Sequence, residues 1–413
     1  MQLPKVRHAV ASLATAFGLC CVLTTGPAGA QQRSFEIYGF AMLDWIQDTK
    51  RMNPQWEDAF RPSKIATPEG QYGTNGQSSL SVKQSRFGVK GSLPTGDNTP
   101  PVSFKFEFDF FGTGVDAGQT TIRLRHMYGE WGQLLAGQTN SVFMDIDVFP
   151  NVIDYWGPAG MVFLRDPQIR WTALRDGKQE VAIAIERPGN DIDPGNIRLI
   201  EGLENAVVNN DETIPDLTAH YRRDADWGHA QLAGILRRVG YEYAANPTET
   251  LQKGSQTGWG LNLSGVVNTI GKDKVLASVV YGHGIASYMN DGGMDVAPTV
   301  TYPPPVTPPT TPPLSAEAVP LTGVVAYYDH YWNDQFSTSF GYSFTQVTNT
   351  NFQADNTFHK GQYASVNLLW YPAKRVMIGG ELLWGERTDK DGTTGTDGRF
   401  QFSVKYDFDA KIQ

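Results

Sequence analysis

The stretch FKFEFDF, Phe104 to Phe110, puts phenylalanine at every second position and fills the gaps with Lys105, Glu107 and Asp109. Strand side chains alternate between two faces, so one face of this run is aromatic and the other charged. A soluble sandwich buries the aromatics and wets the charges. A transmembrane barrel inverts this, turning aromatics to lipid and charges to a water-filled lumen. RFQFSVKYDF repeats the pattern: Phe400, Phe402, Val404, Tyr406 and Phe408 alternate with Arg399, Gln401, Ser403, Lys405 and Asp407.

Sixteen such runs follow one another, at approximately 35–48, 79–92, 102–111, 120–131, 133–140, 167–175, 179–187, 216–224, 229–239, 257–270, 273–285, 321–332, 335–347, 361–371, 374–387 and 398–408. From the fourth run onward the connections alternate between short ones such as DGK, DADWG and PAK and long ones such as 141–166, 188–215 and 286–320. Even-numbered barrels with short periplasmic turns and long outer loops produce this parity, and a propeller or sandwich gives no reason for it. The brief third connection, 112–119, is the exception. The expected fold is all-β: a transmembrane antiparallel barrel of about 16 strands.

The rest of the chain agrees. Residues 1–30 read as a cleaved secretory leader, with Lys5 and Arg7 before an apolar run and Ala28-Gly29-Ala30 at its end. Both cysteines, Cys20 and Cys21, lie in that leader, so the barrel expected over 31–413 has neither disulfide nor thiolate metal site. Acidic residues outnumber basic ones, 43 to 34, which argues against a nucleic-acid partner. Trp45, Trp131, Trp227, Trp259, Trp332, Trp370 and Trp384 fall toward run ends, where aromatic girdles sit at the two membrane interfaces. The proline-rich segment 298–320 reads as an exposed outer loop and not a strand.

Facing rules then single out charges. Arg86, Lys105, Arg123, Arg125, Arg170 and Arg222 fall on the polar faces of their runs, forming a basic wall suited to guiding anions and orienting carboxylates or phosphates. The alternative is that they pair with Glu107, Asp109 and loop acids merely to hold the wall together. The connection after run five, 141–166, is too apolar for an exposed loop, with Val142, Phe143, Val148, Phe149, Val152, Ile153 and Tyr155. It is expected to fold inward as a constriction loop, with Asp145, Asp147 and Asp154 forming the opposite pole to the arginines; packing at a subunit interface is the other option. Asp145-x-Asp147 is too short a signal for a metal site, and no catalytic or cofactor motif stands out, so neither metal, cofactor nor enzyme is expected.

QSRFGVKGSLPTG (84–96), FKFEFDFFG (104–112), IRLRHMYGEWGQLLAGQTNSVFMDIDVFPNVIDYWGP (122–158) and QIRW (168–171) together resemble the DcaP-like outer-membrane porins of Gram-negative bacteria, and the likeness resumes at WYPAKRVMIGGELLWGER (370–387). The resemblance implies a homotrimer of sixteen-stranded barrels in outer-membrane lipid and lipopolysaccharide, admitting small anionic solutes including dicarboxylates. It makes Arg86, Arg123, Arg125 and Arg170 pore-lining and places the three aspartates on the constriction loop. Two departures stand out: the first strand begins close to Gln31, leaving no room for the coiled-coil extension of some relatives, and Phe408 is followed by a non-aromatic tail. The expected function is passive, charge-selective diffusion. The competing readings are a receptor barrel with a closed lumen and loops that capture a partner, and a soluble exported β-protein acting on polysaccharide.

Overall fold

The computed structural model describes residues 33–300 and 314–412; the leader and the middle of the proline-rich segment lie outside the described residues. The wall strands are β1 (Ser34–Asp48), β2 (Gln77–Ser81 and Arg86–Leu93, two halves of one strand), β3 (Val102–Phe111), β4 (Thr120–Trp131), β5 (Leu134–Asn140), β6 (Arg165–Arg175), β7 (Gln179–Glu186), β8 (Asp216–Ala225), β9 (Gly228–Ala244), β10 (Gln252–Asn268), β11 (Lys274–His283), β12 (Pro320–Tyr331), β13 (Phe336–Val347), β14 (Phe358–Ala373), β15 (Val376–Asp389) and β16 (Thr394–Ile412). Each pairs antiparallel with its chain neighbours, and β16 closes on β1 from Phe35↔Ile412 to Asp48↔Arg399. The result is a closed 16-stranded barrel. Closure removes the two free edges of the wall sheet, which a hydrocarbon surround demands because no water is there to satisfy a free peptide group.

The burial pattern is inside out. Ile122 is 67% and Leu263 59% exposed on the outer surface, whereas Asp109 and Gln401 are 0% exposed on the inner one. The phenylalanines of FKFEFDF belong to the outer set, and Glu107 and Asp109 are buried inside. Exposed tryptophans form two belts. Trp45, Trp259 and Trp384 lie toward the long-loop end, and Trp131, Trp227, Trp332 and Trp370 toward the short-turn end.

Half of the lumen holds a hydrophobic core. Met52, Phe60 and Ile65 of the first outer connection, Phe143, Met144, Val148, Met161 and Val162 of 141–164, and Ile285, Tyr288 and Met289 of the 284–295 segment cluster together. They pack on inward residues of β9–β15, among them Ile235, Val280, Leu321, Val325, Tyr363 and Leu383. Small buried side chains on that wall, Ser264, Ser278, Ser337, Ser339, Ser343 and Thr345, leave room for the loops. At Gly160 the approach is too close for any side chain: a Cβ there would collide with the carbonyl oxygens of Phe344 and Val324.

The proline-rich segment departs from the expected loop. Val296–Val300 and Leu314–Ala318 pair antiparallel, with Pro298 opposite Ala316. Proline is tolerated because a two-stranded ribbon has outer edges where no ladder donor is needed, and burial of Val296, Ala297 and Val300 explains why this part is strand.

The inverted surface is testable. Leu263, cross-strand partner of Val279 on the outer face, should tolerate arginine poorly: Leu263→Arg is expected to destabilise the barrel by about 2–4 kcal/mol in lipid vesicles. Urea unfolding followed by tryptophan fluorescence reads this, and an unchanged midpoint contradicts the lipid-facing assignment.

Candidate functional site

The charged cluster is organised by a β-bulge. Glu107 pairs with His126 but Phe108 pairs with Leu124, which leaves Arg125 as the extra residue between β3 and β4. A bulge shifts the alternation by one and re-aims side chains. Arg125 and His126 are therefore consecutive and both buried, while Ile122 and Met127, an odd number of residues apart, are both exposed outside.

Four cations converge on two carboxylates. Arg125 places Nε 2.7 Å from Glu107 and Nη1 2.9 Å from Asp109. Arg123 bonds Asp109 at 2.9 Å, Lys105 bonds Glu107 at 3.2 Å, and Arg86 stands 3.7 Å from Glu107. The Tyr155 hydroxyl donates to Asp109, its ring stacked on Phe111 with centroids 4.2 Å apart. Each carboxylate is more than matched, so the patch keeps positive charge.

This patch forms one wall of a cavity of about 790 Å³. Arg86, Arg123 and Arg125 line it, together with Arg61, Arg165, Arg187 and Lys405, and residues 149–156 form the facing side. Arg61 bonds Asp291 at 2.9 Å and rests against the rings of both Trp56 and Trp156, at 4.2 and 4.5 Å from their centroids. Arg187 reaches Asp166 at 3.1 Å and Lys405 reaches Asp407 at 3.4 Å. Arg165 has no ion-pair partner among the described residues and rests on the ring of Phe163, 4.8 Å from its centroid.

Segment 141–164 is hydrogen-bonded to the inner wall. The Glu381 carboxylate on β15 accepts the backbone N–H of Ile153 at 2.8 Å and of Asp154 at 2.9 Å, and it also accepts from Asn367. Asn367 in turn donates to the Asn151 carbonyl at 2.8 Å, and Asn262 donates to that of Phe143 at 3.1 Å. The main chain of the segment is thus tied across β10, β14 and β15.

The loop aspartates take roles different from the expected opposite pole. Asp145 is buried, accepting from Ser264 at 2.7 Å and bonded to His229 at 2.8 Å. Burial pushes its carboxyl up, but the His229 and Ser264 bonds outweigh this and hold it below its ordinary value. The Asp154 carboxylate accepts from the amides of Phe60 and Gly157, and burial pushes its carboxyl up. Asp147, half-exposed, receives Arg222 at 2.6 Å. Asp145, Asp147 and His229 do come within 4.8 Å of one another in metal-ligand fashion. Arg222 also stands 3.7 Å from Asp145, so a guanidinium already supplies the positive charge a cation would bring.

Of the six basic residues named from sequence, the fold brings Arg86, Lys105, Arg123 and Arg125 onto one carboxylate pair, Arg222 onto the loop, and leaves Arg170 apart, with Nε lacking a hydrogen-bond partner. Arg61, Arg165 and Arg187 were not named. Arg165 precedes the alternating run that marks β6, Arg61 lies in an outer connection where period gives no facing, and Arg187 is the last residue of its run, out of phase with inward Glu186 and just beyond β7. Lys405 did stand on the polar side of its run.

The carboxylate clamp has a direct consequence. Glu381→Ala removes bonds of a charged acceptor worth about 1.5–3 kcal/mol each, and it should loosen 149–156 while leaving the barrel folded. Higher single-channel conductance and current noise are expected; an unaltered conductance would show that the clamp does not position the segment.

With this geometry in view, known proteins supply a context. The sequence model of the DcaP outer membrane protein family matches residues 24–292. Comparison with proteins of curated function finds no match. Among solved structures, the outer membrane channel DcaP of Acinetobacter baumannii aligns with a TM-score of 0.73 at 21% identity, covering 93% of this chain and 100% of that one. In-vitro folded OmpT of Vibrio cholerae aligns at 0.51 with 12% identity over 92% of this chain and 99% of that one. OprB of Pseudomonas putida gives 0.51 and 10% over 90% and 94%. The chain is an outer-membrane β-barrel of the porin type, placed in the outer membrane of a Gram-negative bacterium, and it belongs to the DcaP outer membrane protein family.

Proposed function

We propose that this barrel gives passive, charge-selective diffusion to small anionic solutes, carboxylates and dicarboxylates among them, through a passage between the basic wall and segment 141–164. The observation that carries the reading is the charge balance at the cavity: Arg86, Arg123 and Arg125, which line it, share two carboxylates with Lys105 behind them, and Arg165 faces the same space with none. Confined guanidinium groups attract anions and orient carboxylates by paired hydrogen bonds. Segment 141–164 sets the width, and its aspartates fix the segment in place. Export by the leader 1–30, a homotrimeric state and contact with lipopolysaccharide complete the proposal; OmpT of Vibrio cholerae is a neighbour with a trimer form.

The half-filled lumen favours a second reading, a receptor barrel whose lumen stays closed. Planar-bilayer recording separates the two, because a closed lumen carries no steady current. Under a salt gradient the wild-type reversal potential should have the anion-selective sign. Arg165→Gln should reduce the anion-over-cation permeability ratio severalfold. Replacing Arg123 and Arg125 together by glutamine leaves Asp109 without a cationic partner, while Glu107 keeps Arg86 and Lys105, and should move selectivity toward cations. Unchanged reversal potentials in both variants would sink the basic-wall assignment.

A further inference from the structure

A second group of cations lies below the central cluster, near the short-turn end of β16, β1, β2 and β3. Register places it in one row across adjacent strands: Lys411 opposite Glu36, Glu36 opposite Lys90, Lys90 opposite Lys105, and Lys105 opposite Tyr128. Three ammonium groups thus stand at one height against one carboxylate. Lys90 and Lys105 are direct cross-strand partners, an arrangement that like-charge repulsion makes unfavourable in a sheet. The only carboxylate of the row, Glu36, is 3.3 Å from Lys90. Lys105 turns toward Glu107 of the central cluster, and Lys411 has no ion-pair partner among the described residues. Lys90 and Lys105 stand 5.1 and 5.9 Å from the centroid of the Tyr38 ring.

These side chains, with Arg33, line a cavity of about 540 Å³ that is distinct from the central one. Lys105 belongs to both groups of charge, so the basic surface continues from the central arginines toward the periplasmic mouth.

We propose that this vestibule is a second binding site, for small polyvalent anions bearing two or more carboxylate or phosphate groups, and that it holds such solutes at the periplasmic mouth. The inference rests on the anion-porin reading above and adds a site to it. With Lys105 committed to Glu107, the three cations Lys90, Lys411 and Arg33 still stand against the single carboxylate of Glu36 and are underneutralised until an anion of charge two or more joins them. A monovalent anion offers too little charge to span Lys411 and Lys90, whereas a polyvalent one reaches both. Such a site makes permeation a two-step transfer from the arginines to the lysines, with the affinity of the mouth strongly dependent on ionic strength.

The test uses the full-length protein inserted in one direction into planar bilayers, with citrate as the probe added to one side at a time. Citrate should block the current at lower concentration from the periplasmic side than from the outer side, and the preference should fade in 1 M salt. In Lys90→Gln/Lys411→Gln, both exposed positions, block from the periplasmic side should need about tenfold more citrate, with block from the outer side unchanged. A variant blocked like wild type from the periplasmic side, or weakened equally from both, overturns the vestibule site. An anion-selective wild-type channel with side-independent block overturns this inference alone, whereas a wild type without anion preference overturns the porin reading beneath it.

Discussion

In hydrocarbon an unpaired peptide group costs several kcal/mol, and this one cost orders the whole molecule. It requires the ladder that runs from β1 to β16 and back to β1, so that Phe35 meets Ile412 and Asp48 meets Arg399. Once the sheet closes, the outer row must be apolar and the polar row can only face inward. The inner row then holds Asp44, Glu107, Asp109, Arg125 and Arg399 in a confined space, where charges are costly unless matched. The bidentate contact of Arg399 with Asp48, at 2.6 and 2.9 Å, is one solution at the outer end.

The two halves of the lumen solve the filling problem differently. Along β9–β15 small wall residues admit three connections that together form a hydrophobic core, and segment 141–164 is tied down by Glu381, Asn367 and Asn262. Along β16 and β1–β6 the wall keeps its arginines and lysines, and the central cavity lies between the two. The proposed function depends on this asymmetry, because a passage bordered by charge on one side and held main chain on the other concentrates the field of the basic wall.

Much of this was legible in the sequence, for reasons of period. All sixteen alternating runs correspond to wall strands, since a barrel wall in lipid keeps one face apolar and imposes alternation except where a bulge shifts its phase. The apolar excess of 141–164 also announced burial. Other features were hidden because they arise from distant contacts. The consecutive Arg125 and His126 break the alternation of their run, but that the break is a bulge holding both inside appears only when β3 and β4 are set in register. The aspartates of 141–164 read as pore charges, yet Asp145 and Asp154 find partners at Ser264, His229, Phe60 and Gly157, far away in sequence or in a turn of the loop itself. Arg61 and Arg165 reached the cavity from positions where facing rules do not operate.

An off-centre passage along the charged wall is the central claim, and thiol accessibility tests it most directly. Both natural cysteines precede Gln31, so residues 31–413 contribute no background. Cysteines are placed at Gln138 or Lys405, which line the cavity, and at Ser278 or Ser343, which lie on the opposite inner wall beneath the loops. A water-soluble methanethiosulfonate is then added during single-channel recording. The account predicts rapid modification with a stepwise change of current at Gln138→Cys and Lys405→Cys and no reaction at Ser278→Cys or Ser343→Cys. Equal reactivity on both walls would show a central, unfilled pore and contradict it.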